Sequence, residues 1–225
     1  GGRGEGGVVQ GVCVAAGLAG GGRGARAAAG EWPRAPAGAV VLSGCSQGGH
    51  VSLAAMRQME TEGEAVFAAA PVAAALDIRH ISLGAALEGG SPSHSLYLAY
   101  IAWGYAHHYG EPLDTALTPE YAAKVEALYG TPHSAQDIME GLPADPREMF
   151  APEFLDAFDG GGDHWLLARI AENGLTDWTP KAPVRLYYGA ADRDVVPEEA
   201  IRAEERFRAR GADVTAVNTG EVEHE

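Results

Sequence analysis

Ser46, Asp192 and His224 are the three residues of this chain whose types and surroundings could do chemistry together. Ser46 stands in Gly44-Cys45-Ser46-Gln47-Gly48-Gly49, a Gly-x-Ser-x-Gly pattern. A serine hydroxyl is a poor nucleophile at neutral pH unless a base takes its proton and an acid orients that base. Those partners have to be found before the pattern means anything, because Gly-x-Ser-x-Gly also arises by chance in glycine-rich sequence.

The flanking elements raise the value of the pattern. Ala39-Val40-Val41-Leu42 reads as a short buried strand, and His50 to Met59 reads as a helix. Strand, Gly-x-Ser-x-Gly and helix together are the setting of a nucleophile elbow, a turn so tight that the residues around the serine must lack bulk. Gly44, Gly48 and Gly49 are therefore expected to be structural, and Ser46 to hold a strained backbone. The Gln47 amide, at the start of the helix, would face a developing oxyanion. Cys45 is expected to pack as a buried free thiol.

In such an architecture the acid and base follow later strands in the order Ser, Asp or Glu, His. Val184 to Tyr188 reads as a strand and is followed by Gly189-Ala190-Ala191-Asp192-Arg193-Asp194-Val195-Val196-Pro197. Val214 to Val217 reads as the last strand and is followed by Asn218-Thr219-Gly220-Glu221-Val222-Glu223-His224. Asp192 is the favoured acid on its spacing from the strand, with Asp194 as the alternate acid or a helix cap. His224 is the only histidine beyond the last strand. His50 is expected to pack or cap beside the elbow. His107-His108 with Glu111 is not expected to hold a metal, since adjacent histidines do not share a helix face. No metal and no cofactor are expected.

The remaining elements must position these residues. Ala65 to Ala70, closed by Pro71, reads as another strand, and Pro197 to Gly211 as a helix with acids at its start and arginines at its end. Alternating strands and helices imply an α/β fold with a mostly parallel sheet. About 78–180 is too long for one crossover and reads as a helical insertion over the sheet edge carrying Ser46. Within it, the aromatic helix around Ser95 to Tyr105 would either line an acyl pocket or form the insertion's own core, and Thr118 would cap the helix begun by Pro119. Residues 1–38 are dominated by Gly, Ala and Arg and read as a low-complexity or poorly ordered segment. Within them, Val12 to Val14 is a weak strand signal and Arg23 to Ala29 a short helix or disorder.

A length of 225 residues fits one domain. The net charge of −15 argues against nucleic acid and anionic membrane surfaces as partners. Two cysteines are too few for a disulfide framework. No apolar run is long enough to span a membrane, and no signal peptide is visible.

With these residues in view, the chain resembles the α/β-hydrolase superfamily, in particular serine esterases and secreted lipase-type enzymes with a Gly-x-Ser-Gln-Gly-Gly-His elbow. Ala70-Pro71-Val72-Ala73, Glu172 to Pro180 and Pro183 to Gly189 are similar to that group, so the likeness runs from about Ala39 onward. The resemblance implies Ser46 as nucleophile, Asp192 as acid, His224 as base and Gln47 as one oxyanion donor. It also implies two-step acyl transfer from a small-molecule ester or lipid-like substrate to water, and an exported protein. Members of the group carry further strands and an oxyanion loop ahead of the elbow and a helix after the histidine. The chain is accordingly expected to be an incomplete product with half an oxyanion hole and an untethered base. A peptidase of the same superfamily and a catalytically incomplete fragment stay open as alternatives.

Overall fold

The computed structural model describes residues 13–16 and 38–224. The expected segment 1–38 lies almost wholly outside the described residues, and the stretch 23–29, read as a short helix or disorder, lies wholly outside them. Strand β1 is Cys13–Ala16, so the weak signal at Val12 to Val14 corresponds to a strand shifted toward its C-terminal side. Strand β2, Val40–Cys45, leads without a gap through Ser46 into helix α1, Gln47–Glu62, and strand β3 is Ala68–Val72. The chain then runs through α2 (Ser82–Leu87), α3 (His94–Tyr109), α4 (Pro119–Tyr129), α5 (Ala135–Gly141), α6 (Pro152–Gly160) and α7 (Trp165–Glu172). It returns to β4 (Val184–Tyr188), α8 (Glu198–Ala209) and β5 (Val214–Asn218).

The five described strands form one sheet in the order β1-β2-β3-β4-β5. β1 pairs antiparallel with β2, and every other pairing is parallel. Cys45 stands opposite Val72, Val72 opposite Tyr187, and Tyr188 opposite Asn218. Parallel strands in that register end side by side, so the loops after β2, β3, β4 and β5 all leave from one edge. This register brings the distant segments at 46, 192 and 224 together.

Pro71 lies inside β3 and does not close it. Ala69 N–H donates to the Pro183 carbonyl and Ala73 N–H to the Tyr187 carbonyl, so the odd-numbered residues face β4. Pro71 has no N–H to give there, and the sheet forgoes one ladder bond instead of ending.

Two compact units are present: 1–76 with 175–225, and 77–174. In the sheet unit Leu53, Met56, Leu186, Phe207 and Val214 form a buried core. Leu175 is fully buried in that same core and its N–H donates to the Leu76 carbonyl, so the segment 175–180 packs with the sheet. The helical unit has a core of its own around Leu98, Val125, Phe154 and Ile170. On α3 the buried positions are His94, Ser95, Leu98, Ala99, Ala102 and Ala106, and the three alanines let neighbouring helices approach closely. Tyr97 and Tyr100 are exposed, and the Tyr100 ring stacks with Trp103 and lies tilted against Tyr129, while Trp103 and Tyr105 pack partly buried against the helical core. Thr118 takes the extended cap position before α4, but its side chain makes no capping hydrogen bond.

Candidate active site

The turn between β2 and α1 holds Ser46 at φ 55° and ψ −121°, a conformation that non-glycine residues rarely adopt. The surroundings force it. Ser46 N–H donates to the Val72 carbonyl at 2.9 Å, and the Ser46 carbonyl accepts from Gly49 and His50 at 2.9 and 3.2 Å. A Cβ on Gly44 would lie 2.2 Å from the Gly48 carbonyl oxygen, so only glycine permits the turn. A Cβ on Gly49 would meet the Ala74 Cβ at 2.8 Å, where α1 rests on the residues after β3. Gln47 N–H occupies the first position of α1, where no intrahelical acceptor exists.

Cys45 is exposed, contrary to the expected buried thiol. The alternation of the strand accounts for this: Leu42 faces the core, and Cys45, three residues on, falls on the opposite face.

Asp192 is buried, at 4% exposure, in the loop after β4. Its Oδ1 accepts from the N–H groups of Asp194 and Val195 at 3.0 and 2.9 Å, which leaves Oδ2 directed at His224. His224 Nδ1 lies 2.8 Å from that Oδ2, and His224 Nε2 lies 2.8 Å from Ser46 Oγ. A carboxylate only accepts, so Nδ1 carries the hydrogen and Nε2 is the lone-pair nitrogen facing the serine hydroxyl. The hydrogen bond to Asp192 raises the His224 pKa above its ordinary value, against the opposing effect of burial; the charges of Asp192 and Asp194 add to the rise. Asp194 lends Asp192 a backbone N–H and contributes charge, while the oxygen bonded to Nδ1 belongs to Asp192.

The expectation of an untethered base is corrected by the backbone around it. Thr219 N–H donates to the Tyr188 carbonyl, Ala190 N–H to the Gly220 carbonyl and Ala191 N–H to the Val222 carbonyl, at 2.9, 2.8 and 3.3 Å. The segment carrying His224 is thereby sewn to the loop carrying Asp192. Gly189 has room for no side chain there.

The other histidines are engaged elsewhere. His50 Nδ1–H donates to the Ala75 carbonyl at 2.7 Å, and burial lowers its pKa, so the ring is kept neutral. His80 pairs with Asp77, His107 with Glu126 and not Glu111, and His164 accepts from Leu166 N–H at the start of α7. His133 meets Thr131, His108 packs edge-on against Tyr109, and His94 is buried in the helical unit. Among the described residues no group of three His, Cys, Asp or Glu is placed to hold a metal ion.

Sequence reasoning missed the residues after β3. Ala73 has φ 46°, unusual for alanine, and nothing in Ala73-Ala74-Ala75 signals it. The close contact of Gly189 with Val222 was equally silent, although a glycine directly after a strand was the one available clue.

No protein-family model matches the chain, and no curated protein sequence matches it. Solved structures do. The Xanthomonas oryzae esterase LipA, which degrades rice cell wall, is 27% identical with a TM-score of 0.73, over 81% of this chain and 51% of that one. A Legionella pneumophila protein provisionally designated a hydrolase is 24% identical with a TM-score of 0.75, over 82% of this chain and 51% of that one. Candida antarctica lipase A is 15% identical with a TM-score of 0.63, over 82% and 44%. The chain spans about half the length of the structures it matches. With its mostly parallel sheet and these neighbours, the chain has an α/β-hydrolase-type fold, similar to the folds of these esterases and lipases.

Proposed function

We propose that the chain is a serine hydrolase of carboxylic esters, with Ser46 as nucleophile, His224 as base and Asp192 as the acid that orients it. The observation that carries this reading is the unbroken run of hydrogen bonds from Asp192 Oδ2 through His224 to Ser46 Oγ, each 2.8 Å long. As Ser46 Oγ attacks the ester carbonyl carbon, its proton passes to His224 Nε2, and the carbonyl π electrons move to oxygen. Gln47 N–H, in the positive end of α1, is the oxyanion donor we assign. Collapse of the tetrahedral intermediate breaks the bond to the alkoxy oxygen, which leaves as alcohol with the proton from His224. A water molecule then gives its proton to His224 and attacks the acyl-serine, releasing the acid and restoring Ser46. Asp192 stays ionised throughout and stabilises the imidazolium.

The esterase and lipase neighbours support a small-molecule or lipid-like ester as the substrate class. No helix among the described residues is long and apolar enough to cross a membrane. A fluorophosphonate probe tests the nucleophile: wild-type chain labels, and Ser46→Ala does not. Equal labelling of the two would end the proposal. Parallel rates on p-nitrophenyl esters and aminoacyl anilides test the bond cleaved, with ester hydrolysis expected to dominate and faster anilide cleavage overturning the esterase assignment in favour of a peptidase.

A further inference from the structure

Every residue from Val72 to Leu76 contacts a different residue of the sheet unit. The Val72 carbonyl accepts from Ser46 N–H at 2.9 Å, and Ala73 N–H donates to the Tyr187 carbonyl at 2.8 Å. Ala74 lies under Gly49, so closely that a Cβ there would be 2.8 Å away. The Ala75 carbonyl accepts from His50 Nδ1–H at 2.7 Å. Leu76 N–H donates to Glu199 Oε2 at 2.8 Å, and the Leu76 carbonyl accepts from Leu175 N–H, also at 2.8 Å.

These partners are the carriers of the candidate site. Ser46, Gly49 and His50 belong to the elbow and the first turn of α1. Tyr187 precedes the loop of Asp192. Glu199, 1% exposed, lies in the first turn of α8 just after that loop. It is tied back to Asp192 by two successive short links, Glu199 N–H to the Val196 carbonyl and Val195 N–H to Asp192 Oδ1. Five consecutive residues thus bond the elbow and the first turn of α1 on one side, and on the other Tyr187 and Glu199, which flank the loop of Asp192. Three alanines in that stretch add nothing but backbone and methyl groups, which is what such close approach requires.

We infer that His50 is a positioning residue, clamping the elbow to the 72–76 segment through Ala75 so that Ser46 stays in register with the His224 and Asp192 pair. Burial keeps its imidazole neutral, and its one fixed donor holds the first turn of α1 against a segment that is itself fixed to β4 and α8. The Ser46 backbone is strained, so it persists only while its surroundings over-determine it. Without the His50 bond the first turn can rotate away from Val72, and a small displacement of Oγ costs far more in rate than in stability.

The inference rests on the hydrolase reading for its kinetic consequence, and its structural consequence can be read separately. His50→Phe fills the ring volume without the donor, His50→Leu does so with less bulk, and His50→Asn keeps an N–H near the Nδ1 position. The expected result is a fall in kcat on p-nitrophenyl acetate of about 10- to 100-fold for Phe and Leu, with KM little changed and Asn recovering most of the loss. Backbone amide exchange at Ser46 should quicken in Phe and Leu, while amides of β4 keep their protection. Unchanged Ser46 exchange in both donor-less variants overturns the clamp, as does an Asn variant no better than Leu. A wild-type chain that fails to label with fluorophosphonate removes the hydrolase reading alone, and the exchange comparison still decides the clamp.

Discussion

Gly189 and Val222 approach so closely that a Cβ on the first would lie 2.1 Å from the carbonyl oxygen of the second. The contact joins the loop of Asp192 to the segment of His224, beside the bonds from Ala190 to Gly220 and from Ala191 to Val222. Two residues on, His224 lies 2.8 Å from both Asp192 and Ser46.

Gly189→Ala is therefore expected to displace the segment carrying His224 without touching any reacting group. The obstacle is backbone, which cannot rotate aside as a side chain does. Fluorophosphonate labelling should slow by about 10- to 100-fold. Overpacking of this kind should also lower stability by about 1–3 kcal/mol, read from urea unfolding. Wild-type labelling by Gly189→Ala would show that His224 is placed by its side-chain bonds alone.

If His224 is the base, as proposed, its raised pKa should set the acid limb of the rate. Only the neutral imidazole can take the Ser46 proton, so kcat/KM should climb with pH through a value above the ordinary 6.5 and then level off. In Asp192→Asn the main cause of the rise is gone and the limb should shift to lower pH. The plateau should also fall, by about 10⁴-fold if the change acts as it does when the acid of a serine triad is amidated. For stability the sign is that of a folded pKa above the unfolded one. The gain from His224 is full below about 6.5 and is lost as pH rises through the raised folded value. An acid limb at the same pH in both proteins would detach Asp192 from His224.

Which parts of this arrangement could be read from residues alone depended on the range of the forces involved. Val40 to Leu42, Val184 to Tyr188 and Val214 to Val217 announce strands because β-branched and apolar residues pack well on a pleated surface. The glycines around Ser46 announce a tight turn, since the contact between Gly44 and Gly48 is local. Asp192 and His224 were legible as types in positions, because loops after parallel strands converge on one edge. The bond from Glu199 to Leu76 spans 123 residues and depends on register and helix rotation that no local pattern encodes. Cys45 misled because a small apolar residue at a strand end reads as buried whichever face it occupies. Pro71 misled because one missing ladder bond is tolerable inside a sheet that the rest of the strand holds.

Glu60, near the C-terminal end of α1, offers a control in the same unit but outside the candidate site. Its carboxylate is 6% exposed and accepts from Lys181 N–H and Ala182 N–H at 3.0 Å each. Glu60→Ala strands both donors, at about 1–3 kcal/mol for each buried group left unpaired. The unfolding midpoint should fall, whereas the labelling rate of the folded fraction should match wild type. A large loss of rate at full folding would mean that the 175–182 segment communicates with Ser46 after all.

His50 should make the fold acid-sensitive in the direction opposite to His224. Its folded pKa lies below the ordinary 6.5, chiefly because burial penalises the imidazolium; the Arg57 charge also lowers it, while the bond to Ala75 works the other way. As pH falls below about 6.5 the unfolded chain takes up this proton before the folded chain does, so stability declines until the lowered folded value is passed, then levels. His50→Asn has no proton to take up at that position. The difference in urea midpoint between wild type and His50→Asn should therefore move in favour of the variant as pH is lowered from 8 to 5. Curves that run parallel across that range would show that the His50 ring is solvated when folded, and a solvated ring could not clamp the first turn of α1 to Ala75.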